Sequence, residues 1–219
     1  MPGPRFLPTM AAGRLVEVLS RSRSLGFLGP GSVRVHIEHA KGFAAASDGT
    51  PERFADLGSG GGVPGLVLAL HWEKAQAALL EAGERRCAFL RDASVDLGIT
   101  ERVAVVHGRA EDLGRRFELR GRFDLVVARG FGPPPVTAEC GAPLLQVGGT
   151  MVVSEPPEAD GPDDGARGPR WPEAGLTRLG LVAGPTIEQP YHYQVLLQER
   201  LCPAEYPRRV GVPAKRPLF

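Results

Sequence analysis

Lysine is nearly missing from this chain: only Lys41, Lys74 and Lys215 stand against 23 arginines. Such a bias follows from a GC-rich coding sequence as readily as from chemistry, and no function is read from it. Cysteine is as scarce. Cys87, Cys140 and Cys202 are odd in number, far apart and without a C-x-x-C pair, which points away from a disulfide framework and from zinc and toward buried thiols in a reducing compartment. No apolar run approaches the ~18–20 residues needed to cross a bilayer. The N-terminus has no basic stretch leading into an apolar run and a small-residue cleavage site. A soluble, cytoplasmic protein without metal or membrane attachment is therefore expected. Net charge is also lacking, at +1 from 26 basic and 25 acidic side chains.

What is present is enough for one ordinary core, with 42% apolar residues. That excludes a collagen, a coiled coil and a wholly disordered chain. The 29 glycines and 21 prolines approach the fraction at which low-complexity segments occur. Cut into three, residues 1–55 carry +3, residues 56–198 carry −5 and residues 199–219 carry +3. Basic ends around an acidic middle suit a nucleic-acid partner, although a solvated surface is the commoner meaning of any single cluster.

Residues 1–50 read as a small helical extension, with apolar residues at helical spacing over Ala11 to Leu28 and again over Ile37 to Ala46. From Arg53 the pattern changes. Continuous apolar runs at Arg53 to Leu57, Gln76 to Leu80, Val103 to Val106, Phe123 to Ala128 and Thr150 to Ser154 alternate with helical stretches at Pro64 to His71 and Glu84 to Leu97. Strands of that kind belong to a parallel sheet covered on both faces, a doubly wound α/β domain over 51–201. Residues 155–175 read as a flexible acidic insertion, too poor in apolar surface to fold on itself. Strands near Leu179 to Ala183 and Tyr191 to Gln198 follow. Residues 202–219 form a basic, proline-rich tail that reads as unable to bury itself.

The segment Asp56-Leu57-Gly58-Ser59-Gly60-Gly61-Gly62-Val63-Pro64-Gly65 sits between a strand and an apolar helix, the context that makes a glycine turn a ligand site. Gly58 and Gly60 allow a tight turn and close approach of a ligand to backbone, and the helix start presents N–H groups. Gly60, Gly62 and Gly65 spell G-x-G-x-x-G, the dinucleotide fingerprint. Its first glycine should close the strand, however, and that place belongs to Gly58, from which the third position is Val63. Asp56, at the strand's end, faces an ammonium better than a pyrophosphate. S-adenosylmethionine is thus favoured over a dinucleotide. Glu81, 23 residues after Gly58, stands where an acid accepts ribose hydroxyls in either ligand class, or else caps the next helix. The loop Gly108-Arg109-Ala110-Glu111-Asp112 opens on the same crevice, as does Arg129 after the fourth strand.

With these residues the chain resembles the GidB (RsmG-like) family of small-subunit ribosomal RNA guanine-N7 methyltransferases. The similarity runs from Phe54 to Val153 through the glycine turn, Arg85-Arg86 with Phe89-Leu90-Arg91, Gly108-Arg109-Ala110-Glu111, and Phe123-Asp124 with Ala128-Arg129. The ending from Glu205-Tyr206-Pro207-Arg208 to Lys215-Arg216-Pro217-Leu218 is similar to the family's as well. The resemblance implies a Rossmann-like class I methyltransferase with a seven-stranded, mostly parallel sheet whose last strand is antiparallel. It implies S-adenosyl-L-methionine as cofactor, ribosomal RNA or the small subunit as partner, and a monomer. Cofactor contacts are expected from Asp56, Gly58, Ser59, Gly60, Gly62, Val63, Glu81, Ala110, Glu111 and Arg129. Two departures stand out: the short N-terminal region lacks the family's W-N-x-x-x-N-L-T stretch, and Ser154-Glu155 replaces its Lys-Gly. They keep a small molecule or another RNA open as substrate, and a non-catalytic binder of the same fold.

Guanine N7 carries no proton, so methylation there needs no general base, only placement of the reactants in line. No Ser/His/Asp, Cys/His or H-E-x-x-H set is present. His36 and His39 lack a nearby third ligand and read as packing residues. Phe131 with Pro133 to Pro135 forms an apolar wall for a base or simply a rigid loop. Arg208, Arg209, Lys215 and Arg216 are expected on RNA phosphates.

Overall fold

A computed structural model of the chain describes residues 9–156, 169–188 and 190–219. Two helices, α1 (Thr9–Ser24) and α2 (Val33–Ala46), precede an alternation of strands and helices. These are β1 (Arg53–Leu57), α3 (Gly65–His71), β2 (Gln76–Glu81), α4 (Glu84–Asp96), β3 (Val103–His107), α5 (Ala110–Leu113), β4 (Phe123–Ala128), α6 (Pro134–Gly141) and β5 (Leu145–Glu155). Then come α7 (Glu173–Thr177), β6 (Leu181–Ile187), β7 (His192–Gln198) and α8 (Val212–Lys215). The strands form one seven-stranded sheet in the order β3-β2-β1-β4-β5-β7-β6. Pairs among β1 to β5 are parallel, while β7 runs antiparallel to both β5 and β6.

Side chains of a strand alternate between faces, and here both faces are apolar. Phe54, Leu79, Leu125, Val127 and Val152 join one buried cluster with α3 and α4, and Leu15, Val18, Leu19 and Phe43 of the two N-terminal helices belong to it. Ala55, Leu57, Val126, Ala128 and Met151 face a second cluster that takes in Ala138, Leu176 and Tyr206. This explains why the strands read as continuous apolar runs.

Local differences from the sequence reading have local causes. Helix α2 begins at Val33 instead of Ile37 because the Ser32 hydroxyl accepts from the Val35 N–H at 3.3 Å. Strand β5 starts at Leu145 and not Thr150; its register shifts against β4 between Phe123 and Leu125, where a Cβ on Gly149 would press on three backbone carbonyls at 3.0–3.1 Å. Strand β6 runs to Ile187 through Gly184 and Pro185, with a register shift between Ala183 and Thr186. An edge strand tolerates that proline.

The acidic stretch assigned to 155–175 lies largely at residues 157–168, outside the described residues. Its flanks are folded: Trp171 is buried and donates from Nε1 to Glu155 at 2.8 Å, and Arg170 pairs with the same carboxylate.

The C-terminal tail does not stand free, contrary to its composition. Arg208 donates from its backbone N and Nε to Glu139 Oε1 at 2.8 Å, and from Nη2 to Oε2 at 2.6 Å, on a carboxylate with no solvent exposure. Arg120 donates to the carbonyls of Cys202, Pro203 and Tyr206. A fully buried carboxylate left unpaired would be costly, so Glu139 fixes where Arg208 must dock. Arg208 is therefore a structural cation and is withdrawn from the set expected on RNA.

Candidate cofactor and substrate site

In this sheet the strand order reverses between β1 and β4, and such a switch point opens a crevice beyond the strands' carboxyl ends. The glycine turn leaves β1 at that place and Arg129-Gly130 leaves β4 beside it. A cleft of about 420 Å³ lies there, lined by Gly58, Glu81, Gly108, Ala110, Glu111 and Phe131 among others. Four of the ten residues expected at the cofactor, Gly58, Glu81, Ala110 and Glu111, thus come together on its wall.

Gly58 forms the floor. Its φ of 75° is a left-handed conformation, and a Cβ there would meet the Phe131 ring at 2.7 Å. Only glycine suits both conditions. The Gly58 and Ser59 N–H groups donate to Leu80 O at 2.9 Å, the Ser59 hydroxyl donates to Asp56 O at 3.0 Å, and the Gly62 N–H donates to Ser59 O at 2.8 Å. Ser59, Gly60, Gly62 and Val63 are not among the residues on the cleft wall.

Glu81 lines the cleft and is tied to backbone on two sides. Its Oε2 accepts from Gly60 N at 2.8 Å and its Oε1 from Gly83 N at 2.7 Å, so one carboxylate ties the glycine turn to the start of α4 while facing the cleft.

Asp56 lies beneath the turn, 1% exposed. Oδ2 accepts from Gly65 N at 3.0 Å, whereas Oδ1 is buried with no partner. Burial pushes the carboxyl up to about 7 against the pull of the Gly65 N–H and Ser59. An acid held this way keeps one oxygen buried without a hydrogen-bond partner.

Glu111 is engaged elsewhere. Its Oε1 accepts from Gly211 N of the tail at 2.9 Å and lies 3.5 Å from Arg109. Burial alone would raise its pKa, but the Gly211 and Glu111 backbone N–H groups and Arg109 together hold it below the ordinary range. The tail also adds Ala214 to the cleft wall. Nothing in sequence spacing announces that contact across 100 residues.

Arg129 is half-buried next to the cleft, off its wall, and donates from Nη2 to His36 Nδ1 at 2.8 Å. His39 packs its ring against Phe43, Tyr191 and Tyr193 at centroid distances of 5.6, 4.8 and 5.4 Å. Burial and Arg129 bring it down to about 4. His39 is a packing residue, as expected from the lack of a third ligand near the two histidines, whereas His36 is buried and tied to Arg129, a contact that escaped the sequence. Cys87, Cys140 and Cys202 are free and buried. Among the described residues no three His, Cys, Asp or Glu side chains gather as a metal set, and no helix is long and apolar enough to cross a membrane.

The sequence profile described as rRNA small subunit methyltransferase G matches residues 34–155. The chain belongs to the GidB family. A GidB relative from Moorella thermoacetica, named Ribosomal RNA small subunit methyltransferase G, is 37% identical over 164 residues, covering 74% of this chain and 68% of that protein. One of the same name from Syntrophomonas wolfei is 32% identical over 198 residues, covering 86% and 87%. In the fold, this GidB chain is similar to the Bacillus cereus O-methyltransferase solved with SAH (TM-score 0.58, 15% identity, 84% and 89% covered). It is also similar to cofactor-bound Rv0187 from MTB (TM-score 0.59, 19% identity, 86% and 90% covered). The seven-stranded Rossmann-like methyltransferase fold expected from the resemblance is the one observed.

Proposed function

We propose that the protein is an S-adenosyl-L-methionine-dependent methyltransferase acting on N7 of a guanine in small-subunit ribosomal RNA. The observation that carries this reading is the glycine turn at the switch point, with the unpartnered Asp56 Oδ1 beneath it, in a chain of the GidB family. The residues fit such a cofactor: a backbone floor at Gly58, an acid at the lip in Glu81, and a buried acceptor near the turn. When bound, the cofactor supplies a methyl group on a sulfonium. Gly58 gives close backbone approach, Glu81 offers its remaining lone pairs to hydroxyls, and the backbone at Ala110 borders the base. Val63 and Arg129 carry over from the resemblance, Arg129 as the cation beside Asp56. Glu111 contributes by fixing α5. The acceptor nitrogen has no proton to lose, so the site has only to orient two reactants and exclude water.

RNA has a surface to meet at the cleft mouth. Arg86 and Arg109 line the cleft, and Arg209, Lys215 and Arg216 are exposed around Ala214. Replacing Arg209, Lys215 and Arg216 by alanine should make the salt dependence of RNA binding less steep by roughly 2 in log–log slope, from three phosphate contacts. An unchanged slope removes the tail from the interface.

Calorimetry with S-adenosylmethionine, with NAD as control, tests the cofactor; absence of heat with the former refutes the enzyme reading. Mapping N7-methylguanine in ribosomal RNA from a deletion strain tests the substrate. Loss of one mark is expected, and an unaltered pattern redirects the enzyme to another RNA or a small molecule.

A further inference from the structure

His36 is 3% exposed on α2, and its ring has two partners of opposite kind. Nε2 lies 3.2 Å from Gly29 O, which can only accept, and Nδ1 lies 2.8 Å from Arg129 Nη2, which can only donate. A neutral imidazole with its proton on Nε2 is the one form that satisfies both. The other tautomer sets an N–H against the guanidinium, and the imidazolium sets two cations together.

Arg129 has little else to hold it. It leaves β4 after the buried Ala128 and precedes Gly130, whose φ is 61°. Among the described residues, His36 is the hydrogen-bond acceptor found for its guanidinium. We propose that His36 is a positioning residue: the N-terminal helix α2 brings an acceptor that aims Arg129 at the cofactor, and acid disables cofactor binding by turning that acceptor into a donor. The proposal rests on the reading of Arg129 as a cofactor contact.

The groups facing this pair are Arg23 from α1, His39 from α2, Asp56 from β1, Tyr191 just before β7 and Tyr193 within it. Burial, Arg129 and Arg23 hold His36 below the ordinary histidine range. As pH falls through that lowered value, the Nδ1 lone pair is lost. Asp56 titrates as well but is common to the wild type and any His36 variant; His39 is coupled to the charge of His36, so the ratio is taken also between His39→Phe and the double variant His36→Asn/His39→Phe, where that coupling is gone.

The test uses the full chain and S-adenosylhomocysteine, with dissociation constants taken stepwise from pH 7.5 downward to the lowest pH at which the proteins stay folded. At pH 7.5, His36→Ala should weaken binding about tenfold, the loss of one charge-assisted hydrogen bond. His36→Asn, whose amide oxygen reaches the Nδ1 position, should return to within about twofold; His36→Gln, whose amide lies at the Nε2 end, should not. The wild-type Kd should rise relative to that of His36→Asn as pH falls through the lowered His36 range, followed down to the lowest pH at which both proteins stay folded. A merely structural histidine would show no such asymmetry between Asn and Gln. Unchanged affinity in His36→Ala, or a wild-type to His36→Asn ratio that stays constant with pH, overturns the proposal; should the alanine variant not fold, the ratio decides. Arg129→Ala separates the layers. Full affinity in that variant sinks the Arg129 reading itself, whereas weakened Arg129→Ala beside unaffected His36 variants sinks only the role of His36.

Discussion

Replacing Asp56 by asparagine should stabilise the free protein while impairing cofactor binding. The Asp56 carboxyl is raised from 3.8 to about 7 in the fold. A gap of roughly three pH units corresponds to ~4 kcal/mol at 1.36 kcal/mol per unit, charged against the folded state above pH 7. Folded Asp56 holds its proton more tightly than the unfolded chain does, so stability falls as pH rises from about 4 to about 7 and is level above. Asparagine keeps the acceptor for Gly65 N but places an amide where Oδ1 has no partner, at a cost of about 1–3 kcal/mol. The net gain at pH 8 should be about 1–3 kcal/mol. His39, lowered to about 4, acts in the opposite sense. It costs the fold about 2 kcal/mol at pH 5, so the wild-type curve alone would look nearly flat. The difference between Asp56→Asn and wild type cancels that contribution. Urea denaturation at pH 5 and pH 8 should show this difference shifting by about 2.5 kcal/mol in favour of the variant at pH 8. A difference that is the same at both pH values refutes the raised pKa and, with it, the argument that the turn stores an unsatisfied acid for its ligand.

Two further outcomes follow from the same contacts. Arg208→Ala leaves the buried Glu139 unpaired and should cost about 3–5 kcal/mol in denaturant unfolding. Adding Glu139→Gln should recover part of it; no recovery would mean that the tail is held by its apolar contacts instead. Gly58→Ala should destabilise by at least 1–2 kcal/mol from its left-handed backbone alone, with the clash against Phe131 added. The double variant with Phe131→Ala should regain the second part and keep the first, and strictly additive losses would show that the ring yields freely.

The sheet was legible because burial on both faces leaves a plain trace, runs such as Phe123 to Ala128 with no polar alternation. The cofactor turn was legible for a similar reason: left-handed backbone at Gly58, Gly60 and Gly62 demands glycine whatever the fold around it. Element ends were less so. Ser32 shows how one side-chain cap moves a helix start by a turn, and Gly149 how a bulge lets a strand begin five residues early. Neither leaves a periodic signal.

Within the site, what stayed hidden were the side-chain ties made by the tail and by α2, from Glu111 to Gly211, from Glu139 to Arg208 and from Arg129 to His36. Glu111 reads as a ligand contact because its loop opens on the crevice, yet its carboxylate is occupied by Gly211 N, and only the path of the tail reveals this. Arg208 reads as a free cation because its neighbours are proline and arginine, a composition that cannot form a core alone. It docks because Glu139, on the apolar helix α6, would otherwise be a buried charge without a partner. The energy that orders the tail thus resides in a residue 69 positions away. The exposed cations Arg209, Lys215 and Arg216 are then presented from a fixed edge of the cleft, next to Ala214, and not from a loose chain. A phosphate backbone meeting that edge would engage the same segment that holds Glu111 and α5 in place. On this geometry, contact with RNA and order on the cofactor side of the cleft share one strap.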